Sequence, residues 1–151
     1  AMHQYRSGPK HTDLGNPQKR IVSPDQNWYY QGPVIVLQGE RTMSSAEAFV
    51  LMLAACPHVT TMGDRTAGSS GNPRRIDAGA AIIVNLPRWI PQDASGNSFD
   101  TVGIQPDVPV KATPKEFTKT ADPVLSAALK RLRTSQADAS EKQAETLIPR
   151  Q

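Results

Sequence analysis

An unbroken apolar run, Val34-Ile35-Val36-Leu37, is followed after a short polar stretch by apolar residues at Ala46, Phe49, Val50 and Leu53. The run predicts a strand buried on both faces. The second set, spaced i, i+3, i+4 and i+7, predicts a helix from Ser44 to Cys56 that Pro57 ends. His58 to Thr61 reads as a further short strand. Arg74 to Ile76 and Ala80 to Leu86 read as two more, joined by the hairpin-type turn Asp77-Ala78-Gly79. Pro91 to Ser98 is a polar loop, and Gly103 permits a tight turn before Pro106-Asp107. A closing helix starts with Asp122 as N-cap and Pro123 at N1, with Leu125, Ala128, Leu129 and Leu132 as its buried stripe. The order strand, helix, strand, hairpin, strand, helix predicts an α/β fold.

The two ends differ from this core. The first thirty positions are rich in Gly, Pro, Asn, Gln and charge and read as a loop or extended arm, here residues 1–31. Residues 134–151 are polar and low in large apolar side chains, which predicts a frayed or disordered tail. That leaves residues 32–133 as one modest domain in a chain of 151 residues, with no room for a second large core. The net charge of +3 comes from outside the domain centre, since residues 34–110 hold five Arg against seven Asp and Glu. Lys130-Arg131-Leu132-Arg133 reads as a solvated helix face, and no aromatic platform accompanies it, so nucleic acid is not an expected partner. The one cysteine, Cys56, excludes an internal disulfide and has no metal-ligand spacing around it, so it reads as a buried small hydrophobe and no metal or cofactor is expected. No run approaches the roughly 20 apolar residues of a membrane span. The compartment is left open.

Candidate chemistry gathers at Gly39-Glu40-Arg41-Thr42-Met43-Ser44-Ser45-Ala46-Glu47. A Ser between an apolar strand and an apolar helix lies among unpaired backbone N–H groups, which can stabilise an oxyanion forming beside it. The same Ser44-Ser45-Ala46-Glu47 also matches a capping box, in which Ser44 is only the helix cap. On this segment alone the cap is the simpler reading.

Two further segments bear on that choice: Met62-Gly63-Asp64-Arg65-Thr66-Ala67-Gly68-Ser69-Ser70-Gly71 and Phe99-Asp100-Thr101-Val102-Gly103-Ile104-Gln105-Pro106-Asp107. With the first, and in this order, they resemble the T/S-x-S-x-x-E, G-E-x-T-x-G and G-V-x-P-D segments of the C-terminal processing peptidases and their tricorn-type relatives. Asp122-Pro123-Val124-Leu125-Ser126-Ala127-Ala128-Leu129 resembles the D-x-x-L-x-x-A-L helix of the same family. The resemblance spans Gln31 to Leu132 and implies a serine endopeptidase acting on peptide or protein substrates, built on part of the ββα spiral shared with crotonase and the Clp proteases. It implies Ser44 as nucleophile and the Ser45 N–H as an oxyanion-hole donor. It also implies Asp100 as the acid that orients a His base, and Gly68, Ser69 and Arg74 beside the substrate. The processing branch uses a Lys base at the place of Ser69, and residues 34–110 contain no Lys, which favours the tricorn-type His.

That base lies upstream of the nucleophile strand in the family, so the resemblance implies a His from a segment before this chain. His3, His11 and His58 read as structural or solvent-facing, with His58 the nearest to an exception. The Gly-rich segment that supplies the second oxyanion donor in the family has only a faint echo in Asp13-Leu14-Gly15-Asn16. Two other classes stand beside the peptidase: an inactive relative that binds a peptide or hydrophobic ligand, and an acyl-CoA enzyme of the crotonase type. Arg74, Arg75 and Trp89 either border a peptide cleft or, more simply, form a packed aromatic over the hairpin with two solvated Arg. An uncovered strand at Val34–Gln38 would invite self-association, so a homo-oligomer is expected.

Overall fold

The computed structural model describes residues 1–23, 25 and 27–146, with side chains through residue 135. Its centre is a three-stranded parallel sheet of β3 (Val34–Gln38), β4 (Val59–Gly63) and β8 (Val108–Pro109), in the order β3-β4-β8. Parallel neighbours need a crossover, and α1 (Ser45–Ala54) supplies it between β3 and β4. The closing helix α2 (Pro123–Thr146) also packs on β3 and β4. Val50 of α1, Met62 of β4, Ala128 of α2 and Phe99 make up the buried apolar core. A second sheet joins β1 (Met2–Tyr5), β2 (Gln18–Lys19) and β7 (Trp89–Gln92), and a two-stranded hairpin joins β5 (Arg74–Asp77) to β6 (Ile83–Leu86). The described residues thus form a small mixed α/β unit with two α-helices. No helix among the described residues is long and apolar enough to cross a membrane.

Several boundaries follow the sequence pattern closely. α1 ends with Ala55 as its C-cap, two residues before Pro57. α2 opens at Pro123, and Asp122 Oδ1 accepts the Leu125 N–H at 2.9 Å as an N-cap should. Other expectations need correction. β3 is an edge strand whose apolar residues are only partly covered, with Leu37 40 % exposed, so it is not buried on both faces. In α2 the buried position is Ala128, while Leu125 and Leu129 are 44 % and 43 % exposed. The helix also continues through Thr146, into the stretch expected to be frayed, because its Ala, Glu, Lys and Gln residues favour a helix without needing an apolar stripe. Residues 147–151 of that tail lie outside the described residues.

The lead-in is not simply an arm. Met2 to Tyr5 pair antiparallel with Gln92 to Trp89, a partnership across almost ninety positions that no local pattern announces. The hairpin differs in its second strand, which starts at Ile83 because Ala80 and Ala81 turn at φ 51° and 60°. Trp89 does not cover that hairpin. It packs against His3 and Tyr5 with ring centroids 4.2 and 5.3 Å away, and Arg20 stacks over it at 5.0 Å.

His3 is 8 % exposed in this cluster. Burial first, and then the Arg20 cation, hold its imidazole below the ordinary value of 6.5, against a weaker opposing interaction with the Gln18 side chain. The unfolded chain therefore takes up a proton on His3 at a higher pH than the folded one. The stability this residue confers is complete above about pH 6.5 and is lost as pH falls through the lower folded value. The drop in Tm between pH 7 and pH 5 is expected to be smaller in His3→Phe than in the unsubstituted chain. Equal drops would remove His3 from the account.

Candidate active site

The site lies where β3 gives way to α1. Ala46 N–H donates to Met43 C=O at 3.1 Å, closing a tight turn with Ser44 at its first central position. Ser44 sits at φ 57°, ψ −121°, the conformation that type II′ turns normally give to glycine. A side chain held there is strained by roughly 1–3 kcal/mol, and such strain is found where the surrounding structure fixes a functional geometry. The turn presents Ser44 to solvent. Its hydroxyl makes no cap hydrogen bond, and the Glu47 N–H donates to the Ser44 backbone carbonyl at 3.0 Å instead. Ser44 and Glu47 form a capping box, with Glu47 Oε2 accepting the Ser44 N–H at 3.0 Å and the Ser44 side chain on the side of the Glu47 N–H, whose 3.0 Å bond goes to the Ser44 carbonyl. The N–H of Ser45, first residue of α1, has no acceptor among the described residues outside the helix.

Glu47 is the centre of the arrangement. Its side chain is fully buried, 0 % exposed, one turn into α1. Oε1 accepts from Thr66 Oγ1 and Gly68 N–H, both at 2.7 Å, and Oε2 accepts from Ser69 N–H at 3.2 Å as well as from Ser44. Four donors on an acceptor-only group is full use of its lone pairs. Ser44 N–H is shared with Ser69 C=O at 2.9 Å, so the second motif is held directly against the first. Thr42 adds another link, its C=O accepting Ala67 N–H at 2.9 Å.

The third motif is attached to the second. Thr66 N–H donates to Ile104 C=O at 3.1 Å, and Ile104 N–H donates to Thr66 Oγ1 at 2.8 Å. Thr101 N–H donates to Gly68 C=O at 2.7 Å, which hangs the turn carrying Asp100 on the loop that touches Ser44. Buried Gln38, the last residue of β3, donates to the carbonyls of Asp64 and Ile104 at 3.1 and 2.8 Å and so ties all three segments at one end of the sheet. Asp107 has a structural use. Its Oδ2 accepts both the N–H and the hydroxyl of buried Thr61 at 2.8 Å, pinning the approach to β8 onto β4.

The residues singled out in the sequence are distributed unevenly. Ser44, Ser45, Ser69 and Asp100 are all exposed and belong to this one cluster of loops. Gly68 is in it but buried, with its N–H on Glu47 and its C=O on Thr101, so it offers a substrate no free backbone group. Arg74 opens the exposed β5, and its side chain makes no hydrogen bond to the cluster among the described residues. His58 precedes β4, at the far end of the ten-residue α1 from Ser44, about 15 Å along the helix. That removes it as a base. His3 is buried in the β1 sheet, and His11 lies in the loop after β1, its C=O taking a bond from Arg6. Glu47, Thr66 and Gln38 were not read as site residues. Glu47 was visible as a capping partner, but a buried hub needs to know which loops fold over it.

Beside the cluster a groove of about 780 Å³ opens between the end of β3, the 39–42 loop and the start of α2, lined by Leu37, Gln38, Arg41, Phe117 and Val124 among others. Gln38 Oε1 is buried and has no hydrogen-bond partner among the described residues.

The sequence profile of peptidase family S41 matches residues 3–110. Over 124 residues the chain is 27 % identical to the tricorn protease of Thermoplasma volcanium, which covers 80 % of this chain and 12 % of that protein. The crystal structure of a candidate peptidase from Parabacteroides merdae superposes with a TM-score of 0.75 at 31 % identity, over 87 % of this chain and 41 % of that one. The crystal structure of the tricorn protease is similar in fold, with a TM-score of 0.54 at 17 % identity over 76 % of this chain and 13 % of its own. The chain therefore spans well under half the length of these relatives. With the profile matched over most of its length, the chain belongs to peptidase family S41, the serine peptidases of the C-terminal processing and tricorn type.

Proposed function

We propose that this chain carries the nucleophile half of a serine endopeptidase site. Ser44 attacks the scissile carbonyl, the Ser45 N–H stabilises the resulting oxyanion, and Asp100 orients a His that takes the Ser44 proton. The observation that carries the reading is the Ser44 turn: an exposed serine held in a glycine-type conformation beside a Ser45 N–H at a helix start that has no acceptor among the described residues outside the helix. In this proposal the His comes from polypeptide outside this sequence, in keeping with the positions of His3, His11 and His58 and with an Asp100 carboxylate that accepts no hydrogen bond among the described residues. Residues 32–133 then form the later part of a catalytic domain of the ββα spiral type, with Ser69 at the rim and peptide as substrate. Arg74 reaches the substrate only if the exposed hairpin folds toward it.

The test is reaction with a fluorophosphonate probe, with the adduct mapped by mass spectrometry, in this chain and in a version extended upstream. Labelling of Ser44 in the extended version, abolished by Ser44→Ala, is the expected result. A folded extended version that is not labelled sinks the nucleophile assignment. The groove of about 780 Å³ favours a second reading, a binding protein for a peptide or hydrophobic ligand, which that outcome would promote.

A further inference from the structure

The buried carboxylate of Glu47 is not touched by the chemistry just proposed, yet it is bound to the backbone of the nucleophile itself. We infer that Glu47 and Thr66 form a positioning pair that sets the Ser44 turn, an inference that rests on the nucleophile reading of Ser44. A serine at φ 57°, ψ −121° is strained even with the Ala46 N–H closing its turn on Met43 C=O, and relaxation of the peptide would swing both its hydroxyl and the following Ser45 N–H. Glu47 opposes that relaxation by sharing the Ser44 N–H on Oε2 with Ser69 C=O, and by holding the Ser69 N–H as well. Its other oxygen is fixed by Thr66 Oγ1 and Gly68 N–H, so the carboxylate cannot rotate away without stranding buried donors.

Thr66 is what links this hold to the rest of the site. It is 3 % exposed, and its hydroxyl has two directions of use: it donates to Glu47 Oε1 and accepts the Ile104 N–H at 2.8 Å. The turn bearing Asp100 is bound to Gly68, which is bound to the same Oε1. One carboxylate therefore fixes the nucleophile turn and the acid's turn relative to each other. Reacting groups displaced by about 1 Å lose on the order of 100-fold in rate, so the pair acts on the reaction through geometry alone.

The variants that separate this role from general stability are Glu47→Gln, Thr66→Val and Thr66→Ser. Glu47→Gln keeps the shape but turns an NH2 toward N–H or O–H donors. Thr66→Val keeps the shape without the hydroxyl, and Thr66→Ser restores it. The first readout is the amide proton of Ser44, followed by NMR in this chain as it stands. In Glu47→Gln and Thr66→Val the Ser44 and Ser69 amides are expected to move upfield and to exchange on the order of 10-fold faster or more, while the β4 amides keep their shifts. Thr66→Ser is expected to return them. The second readout is the rate of fluorophosphonate labelling at Ser44 in the extended protein, expected to fall on the order of 100-fold in Glu47→Gln and Thr66→Val and to recover in Thr66→Ser.

An unchanged Ser44 amide in Thr66→Val, or labelling at the unsubstituted rate in a variant whose amides have moved, overturns the positioning role. If Glu47→Gln does not fold, the Thr66 pair of variants decides alone. Absence of labelling in the unsubstituted extended protein is a different failure. It refutes the nucleophile reading and with it the catalytic meaning of the pair, whatever the amides show.

Discussion

Gly103→Ala is expected to lower Tm by about 10–20 °C. Two effects coincide at this position. Gly103 turns at φ 77°, where an L side chain is strained, and a Cβ built there lies 2.2 Å from Thr66 O, which is backbone and has no rotamer to escape into. Strain of roughly 1–3 kcal/mol and overpacking of similar size add to roughly 2–6 kcal/mol. The displaced atom belongs to the residue that holds Glu47, so the damage spreads to the Ser44 turn. Gly79→Ala provides the contrast. Gly79 also turns at a positive φ, 82°, but no atom of the described residues lies within 4 Å of a Cβ placed there, in the loop of an exposed hairpin. Its loss is expected to be a few degrees at most. Thermal unfolding of the two variants side by side checks both, and equal effects would mean that the contact with Thr66 O relaxes at no cost.

That contrast also marks what the sequence can and cannot disclose. Gly103 and Gly79 look alike as turn glycines, and only the three-dimensional approach of Thr66 separates them. The same limit explains the rest. β3, α1, β4 and the start of α2 were legible because each is specified by local signals: an apolar run, an i, i+3, i+4, i+7 pattern, a Pro stop, an Asp-Pro start. β1 was not, since Met2-His3-Gln4-Tyr5 becomes a strand only by pairing with Trp89–Gln92. The burial of α2 was misjudged because β3 is an edge strand and leaves Leu125 and Leu129 partly uncovered. Ser44, Ser45, Ser69 and Asp100 were brought out by motif order, and the structure places them in one cluster of loops. Glu47, Thr66 and Gln38 were missed as site residues for a physical reason. A buried polar group earns its importance from partners on distant segments, here 19, 21 and 22 residues on for the Thr66, Gly68 and Ser69 bonds of Glu47.

Ser44→Gly is expected to raise Tm by about 2–6 °C while removing the hydroxyl on which the proposed chemistry depends. At φ 57°, ψ −121° a glycine has no Cβ to strain, which returns roughly 1–3 kcal/mol to the folded state. Part of this is offset, because glycine makes the unfolded chain more flexible by about 0.4–1 kcal/mol. Ser44→Ala keeps the Cβ and the strain, so it is expected to leave Tm within about a degree of the unsubstituted chain. Both variants are expected to lose fluorophosphonate labelling entirely in the extended protein. The pair thus separates two properties of one residue: the backbone conformation and the hydroxyl that the conformation displays. A serine retained where glycine is more stable is what a site under a stability–activity trade-off looks like, whereas a mere helix cap would leave both variants below the unsubstituted chain, Ala by about 0.5–2 kcal/mol and Gly by a few tenths. A Ser44→Gly variant no more stable than the unsubstituted chain would show that the turn stores no strain. The geometric argument for Ser44 as nucleophile would then lose its footing, because an unstrained serine at the first turn of a helix needs no purpose beyond that of a cap.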